Sequence, residues 1–195
     1  MKKIVISLLL CFCVVLGASY LTMTVAYNNY QKEELWLMQT LLPGSESFTE
    51  VPYDGEDGNI VSVHQGETGF VVETKTNGYA DEITMLVAVN SAGAVTGLVT
   101  REAHETYGLG SGILTNADFL SQFLNKTGSF EVVTGGVDAF SGATGEAEES
   151  AGEGNEVDAI SGATVSSKAV ARCVNSAVAY VTGADAVSEA TSWGG

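Results

Sequence analysis

Hydrophobic positions follow three rhythms along this chain of 195 residues, and each predicts a different kind of element. Residues 4–30 carry no charge and residues 4–26 are mostly apolar, long enough for a helix that crosses a bilayer. Residues 31–42 continue with Leu35, Trp36, Met38, Leu41 and Leu42 as a juxtamembrane helix, which Pro43-Gly44 should end. Beyond it the rhythm shortens to that of strands. Residues 60–63 form a short run, 68–76 alternate weakly, 83–89 are an apolar run behind Asn77-Gly78-Tyr79, and 94–100 follow a Ser91-Ala92-Gly93 turn. The last three predict antiparallel pairing through short loops. Residues 119–124 predict one or two helical turns, and 130–134 a final strand ending at Gly135-Gly136. From Thr164 onward Ala169/Val170, Cys173/Val174, Ala177/Val178 and Val181 recur on one helical face. The expected fold class is α+β: one transmembrane helix, then a single domain of antiparallel sheet with packed helices. Its expected parts are residues 1–28 as cytoplasmic tip and anchor, 29–46 as juxtamembrane helix, and 47–195 as an extracytoplasmic domain with an acidic insert at 137–157.

Charge orients the anchor. Lys2 and Lys3 precede the apolar run, so the N-terminus should stay in the cytoplasm and the rest of the chain should lie outside, attached to the cell membrane by a single pass. A cleaved signal peptide is the competing reading, because Gly17-Ala18-Ser19 offers small residues near a plausible cleavage point. Hydrophobicity continues through Tyr20-Leu21-Thr22-Met23-Thr24-Val25-Ala26, which favours a retained anchor. A lipoprotein is disfavoured, since Leu10 precedes Cys11 where a small residue would be expected.

The chain has 24 acidic residues against 8 basic ones, two of the latter being Lys2 and Lys3. Such a surface repels nucleic acid and anionic headgroups and fits a domain standing off the membrane. Cys11 and Cys13 lie in the apolar run, which leaves Cys173 alone in the domain, without a partner for a disulfide framework and read as a small core residue. His64 and His104 are too few and too far apart for a metal site and read as surface or loop residues.

The most informative motif occurs twice: Asp138-Ala139-Phe140-Ser141-Gly142-Ala143-Thr144 and Asp158-Ala159-Ile160-Ser161-Gly162-Ala163-Thr164. Only the second copy leads into an amphipathic helix, which puts Thr164 at a helix mouth. There a turn on Gly162 lets backbone approach a ligand, and the N–H groups of the first turn favour an anion. Behind the first copy, residues 145–156 are acidic and glycine-rich, with five glutamates and no base. Such a stretch cannot bury enough apolar surface to pack, and the expectation is a mobile surface excursion. Nothing else recurs at the interval between the copies, so they are not a structural repeat. The plain alternative for the second copy is a Ser/Gly/Thr cap opening an ordinary helix.

This second copy resembles the flavinylation motif of the covalent FMN-binding domain family, Asp-x-x-(Ser/Thr)-Gly-Ala-Thr. The resemblance implies FMN held on Thr164 by a phosphoester, made from FAD by a separate Mg-dependent flavin transferase. That division of labour suits a threonine with no His near it in sequence, because its hydroxyl is a weak nucleophile without a base. Leu41-Leu42-Pro43-Gly44, Gly78-Tyr79-Ala80-Asp81-Glu82-Ile83 and Glu102-Ala103-His104-Glu105-Thr106-Tyr107-Gly108-Leu109-Gly110 extend the likeness to the G-subunit family of Rnf-type ferredoxin:NAD oxidoreductases. The C subunit of the sodium-translocating NADH:quinone oxidoreductase is a relative of that family. The resemblance implies that Glu105, Thr106, Gly108, Leu109 and Gly110 line the flavin ring, with Tyr107 standing where the family has proline. It further implies that Ser161, Gly162, Ala163, Ser166 and Ser167 hold the ribityl phosphate. Asp158, whose charge would repel a phosphate in direct contact, is expected as a recognition element for the transferase or a turn brace.

The function so implied is an electron relay. A covalent FMN cannot diffuse away outside the cytoplasm, and it would carry electrons between ferredoxin-side and NAD-side centres of an ion-translocating membrane complex. The subunit would have no self-contained active site, and its partners would be the other membrane subunits. Two other classes stay open on sequence: a free-standing anchored flavoprotein serving an extracellular acceptor, separable by gene neighbourhood, and a binding module without flavin, separable by colour.

Overall fold

The computed structural model describes residues 2–103, 114–134 and 154–183, with side chains from Phe12 onward. The chain divides into two compact units, Met1–Met38 and Gln39–Gly195.

Helix α1 runs without interruption through Lys2–Leu41. The expected juxtamembrane helix continues the preceding segment without a break at 28/29. Asn28-Asn29 only weakly disfavour a helix, and no Pro or Gly stands between Gly17 and Pro43 to break one. Termination follows at Pro43, with Gly44 at φ 89°. Phe12, Val15, Leu16, Leu21, Met23 and Val25 are all exposed on α1. Among the described residues, no helix is long and apolar enough to cross a membrane. The apolar run of the sequence begins earlier, at Ile4, ahead of the first described side chain.

In the second unit, five strands form an antiparallel meander: β1 (Thr49–Val51), β2 (Ile60–Gln65), β3 (Gly69–Asn77), β4 (Glu82–Asn90) and β5 (Val95–Ala103), in sequence order across the sheet. The predicted pairing of the three long strands is present. β3 and β4 are in continuous register from Gly69↔Asn90 to Asn77↔Glu82. The β4–β5 turn closes on Gly93 (φ 83°), with Asn90 Oδ1 accepting from the N–H groups of Ala92 (3.0 Å) and Ala94 (2.9 Å). β4 alternates as a strand covered on both faces must. Ile83, Met85, Val87 and Val89 enter the main core, while Leu86 and Ala88 are buried outside it. The chain leaving α1 crosses β5 at Gly97, where an added Cβ would lie 2.8 Å from Leu41 O, and Thr96 Oγ1 donates to that same carbonyl at 2.8 Å.

Helix α2 (Ala117–Ser121) has Asn116 as N-cap, its Oδ1 accepting from Phe119 N at 2.9 Å. It places Phe119 and Phe123 edge to face at 5.5 Å, with Phe123 against Phe130 at 5.1 Å. Strand β6 (Phe130–Val133) pairs in parallel with β7 (Asn155–Asp158). The last residues of the expected acidic insert, 155–157, belong to β7, and Val157 is fully buried. The Asn155 side chain explains why so polar a segment is ordered, since its Nδ2 donates to Thr127 O (2.6 Å) and Ser129 O (3.2 Å). Residues 145–153, like the whole first motif copy, lie outside the described residues. β1 was also unpredicted, being three residues with one apolar side chain. His64, expected on surface or loop, is half-buried on β2, 3.4 Å from the Ser62 hydroxyl.

Helix α3 (Thr164–Thr182) packs across β3, β4 and β6 and ends at Gly183 in the left-handed conformation. Ala169, Val170, Cys173, Val174, Ala177 and Val178 form its buried face, as the periodicity predicted. Thr76 Oγ1 lies 3.0 Å from Ala169 O and 3.3 Å from Cys173 Sγ, tying strand to helix.

Candidate functional site

The second motif copy is a strand end, a turn and a helix start joined without a gap. Asp158 closes β7, Ser161-Gly162 form an exposed turn with Gly162 at φ 81°, and Thr164 opens α3. A positive φ at the turn's tip is why glycine stands there. Ala163 occupies the N-cap and makes no side-chain capping bond. The plain reading of this motif as a side-chain cap is therefore not realised. Ser167 N donates to Ala163 O at 2.9 Å as the helical ladder begins, and the N–H groups of Thr164 and Val165 precede it. A helix start of this kind favours an anion, and α3 has no acidic residue in its first turn.

Side chains within the motif divide by role. Thr164 is half-buried, Val165 exposed and Ser166 buried. Ser167 is fully buried and its hydroxyl is committed to the turn: Oγ accepts from Ile160 N at 3.3 Å and donates to Ala163 O at 3.0 Å. In this structure it braces the motif. Asp158 is exposed, and its backbone is clasped by Gln122, whose Oε1 accepts from Asp158 N at 2.8 Å and whose Nε2 donates to Asp158 O at 3.3 Å. Sequence reasoning missed Gln122, which stands 36 positions away with no motif around it. Lys168, exposed four residues beyond Thr164, was legible as a cation on the same helical face and was not read as one. The expected ring-lining residues Glu105, Thr106, Gly108, Leu109 and Gly110, and the first motif copy with Thr144, lie outside the described residues.

The arrangement fits a phosphate-bearing cofactor: an uncapped helix start, a turn without Cβ at its tip, and a hydroxyl at the first helical position. The FMN-binding domain family model matches residues 78–147 and 145–179. The two stretches overlap at residues 145–147, within the acidic run. The chain is 31% identical over 134 residues to the G subunit of the Na(+)-translocating ferredoxin:NAD(+) oxidoreductase complex of Acetobacterium woodii, covering 68% of this chain and 55% of that protein. It is 31% identical over 154 residues to the G subunit of the ion-translocating oxidoreductase complex of Methanosarcina acetivorans, covering 74% of this chain and 72% of that one. The chain thus spans about half the length of the first relative and nearly three quarters of the second. Among solved structures, that of Shewanella oneidensis NqrC matches 70% of this chain and 65% of its own, at 24% identity and a TM-score of 0.45. On the matched residues and the extent of its likeness to these two proteins, the chain belongs to the FMN-binding domain family, with the G subunits of ion-translocating oxidoreductase complexes as its relatives.

Proposed function

We propose that this chain is the electron-relay subunit of a membrane-bound, ion-translocating ferredoxin:NAD oxidoreductase, working through one FMN joined to the Thr164 hydroxyl as a phosphoester. The observation that carries this reading is the start of α3: Ala163 leaves the helix without a side-chain cap, directly before a half-buried threonine. When bound, FMN supplies reversible electron transfer. The residues of this chain hold it in place. Thr164 provides the covalent tether, and the N–H groups of the first turn offer donors to phosphate oxygens. Gly162 and Ala163 permit close backbone approach, Ser161 lies exposed beside them, and Lys168 adds a positive charge on the same face. Glu105, Thr106, Gly108, Leu109 and Gly110 are proposed to line the ring.

Attachment needs no catalytic group in this chain. A flavin transferase using FAD and magnesium joins the Thr164 oxygen to the FMN phosphorus, the pyrophosphate bond breaks, AMP leaves, and the hydroxyl proton passes to the transferase or to solvent. The membrane anchor is part of the same proposal. Exposed Phe12, Val15, Leu16, Leu21, Met23 and Val25 are side chains that lipid would cover, and Lys2-Lys3 set the N-terminus in the cytoplasm with the domain outside. The partners are the other membrane subunits, which would dock the domain and exchange electrons with its flavin.

The test is made in membranes. The parent chain, expressed with a flavin transferase, should show in-gel flavin fluorescence after denaturation and should co-purify with other membrane subunits. Membranes carrying Thr164→Val should lose both the fluorescence and ferredoxin:NAD electron transfer. Full electron transfer without flavin on this chain would refute the assignment.

A further inference from the structure

We infer that Gln122 is a positioning residue for flavin attachment, holding the acceptor motif in one shape by completing β7 from its open side. The inference rests on Thr164 being the attachment site.

β7 has a neighbour on one edge alone among the described residues, since its sheet is two-stranded. Asn155 N donates to Ser129 O at 2.8 Å and Ala159 N to Val133 O at 2.9 Å, so the odd-numbered peptide groups of β7 face β6. With a strand period of two, the N–H and C=O of Asp158 face the opposite edge, where no strand follows among the described residues. Gln122 meets both groups there, at 2.8 and 3.3 Å. A primary amide has one acceptor and a donor pair in one plane, so it stands in for the peptide of a missing strand.

Gln122 is itself held. As C-cap of α2 it donates its own N–H to Phe119 O at 3.2 Å, and its chain neighbour Phe123 is fully buried. Its backbone is thus fixed at the point from which the side chain reaches Asp158. The motif's other tethers are Ala159 N to Val133 O on the β6 side, Ile160 N to Ser167 Oγ, and Ala163 N to Ile160 O at 2.9 Å; the last two fix the turn against α3. Gln122 links the motif's first residue to the rest of the domain from the strand's far side. A transferase that must meet the exposed Asp158 carboxylate and the Thr164 hydroxyl together needs their separation fixed beforehand, and loss of such orientation slows a transfer step.

The chemistry specifies glutamine. Glutamate is the same length, but its carboxylate only accepts: it can take the Asp158 N–H and it repels the carbonyl. Leucine keeps the bulk and makes neither bond.

The test uses the intact chain in detergent with purified flavin transferase, FAD and Mg2+, following in-gel flavin fluorescence with time and normalising to folded protein by circular dichroism. Gln122→Leu and Gln122→Glu should each slow the initial rate of flavin incorporation about tenfold per folded molecule, the scale of one or two lost neutral hydrogen bonds. Hydrogen exchange at the Asp158 amide should accelerate in Gln122→Leu, which makes no bond to it, and less in Gln122→Glu, whose carboxylate can still accept that N–H. Ser121→Ala, on the same turn, should match the parent. A parent-like rate per folded molecule in the Gln122 variants overturns the inference, as does flavin loss that only tracks loss of fold. A parent chain that takes flavin elsewhere than Thr164, or none, overturns the functional reading together with this one.

Discussion

Burial of Cys173 pushes its thiol above the ordinary value of 9.0, and the hydroxyls of Thr76 and Thr74 only partly oppose this. The thiolate is the reactive form, so the native domain should resist iodoacetamide at Cys173 and react once unfolded. Labelling of native protein at the rate of a free thiol would show that α3 opens readily. Glu67 is shifted the other way: its own N–H, the Ser47 hydroxyl and nearby N–H groups hold its carboxyl below the ordinary 4.5. A depressed carboxyl stabilises the fold above its unfolded value and loses that contribution as pH falls through the folded one. The Ser47 and Glu46 amide resonances should therefore titrate together below pH 4.5, and Glu67→Gln should abolish that titration. Thr164→Val should leave the thermal midpoint within a degree or two, since no capping bond depends on the hydroxyl.

At the scale of elements, two substitutions test how the sheet is covered. Gly97→Val would drive a Cβ against Leu41 O and Cα, both backbone atoms, and should cost about 1–3 kcal/mol in denaturant unfolding. Val157→Ala should cost about 2 kcal/mol, because this residue from a polar stretch is a full member of the core. Deleting residues 141–157 would then remove β7 and destabilise the domain, whereas deleting only 145–153 should leave flavin on Thr164. The strands β3, β4 and β5 were legible because runs such as Ile83 to Val89 sit between turns of Asn and Gly, and α3 because its small apolar residues keep a helical period. β1 and β7 were not, since each has one apolar residue and takes its order from pairing with a distant strand. The motif at Asp158–Thr164 was legible as chemistry. Its supports were legible only in part: the hydroxyl of Ser167 was singled out without its bonds to Ile160 and Ala163, and Gln122 reaches the motif through a tertiary contact that leaves no local trace.

In the whole molecule, an exposed apolar helix, an acidic domain and a helix start shaped for a phosphate share one chain. Protease added outside the cytoplasmic membrane should digest the domain while the N-terminal segment stays with the membrane; a domain protected from protease, or released as a soluble form beginning near Tyr20, would contradict the anchor. The proposed function depends above all on one bond, and peptide mass mapping of the chain purified from cells with a flavin transferase tests it most directly. FMN is expected on the peptide containing Thr164 and none on that containing Thr144. Flavin on Thr144 with Thr164 unmodified, or a chain carrying no covalent flavin, would contradict it.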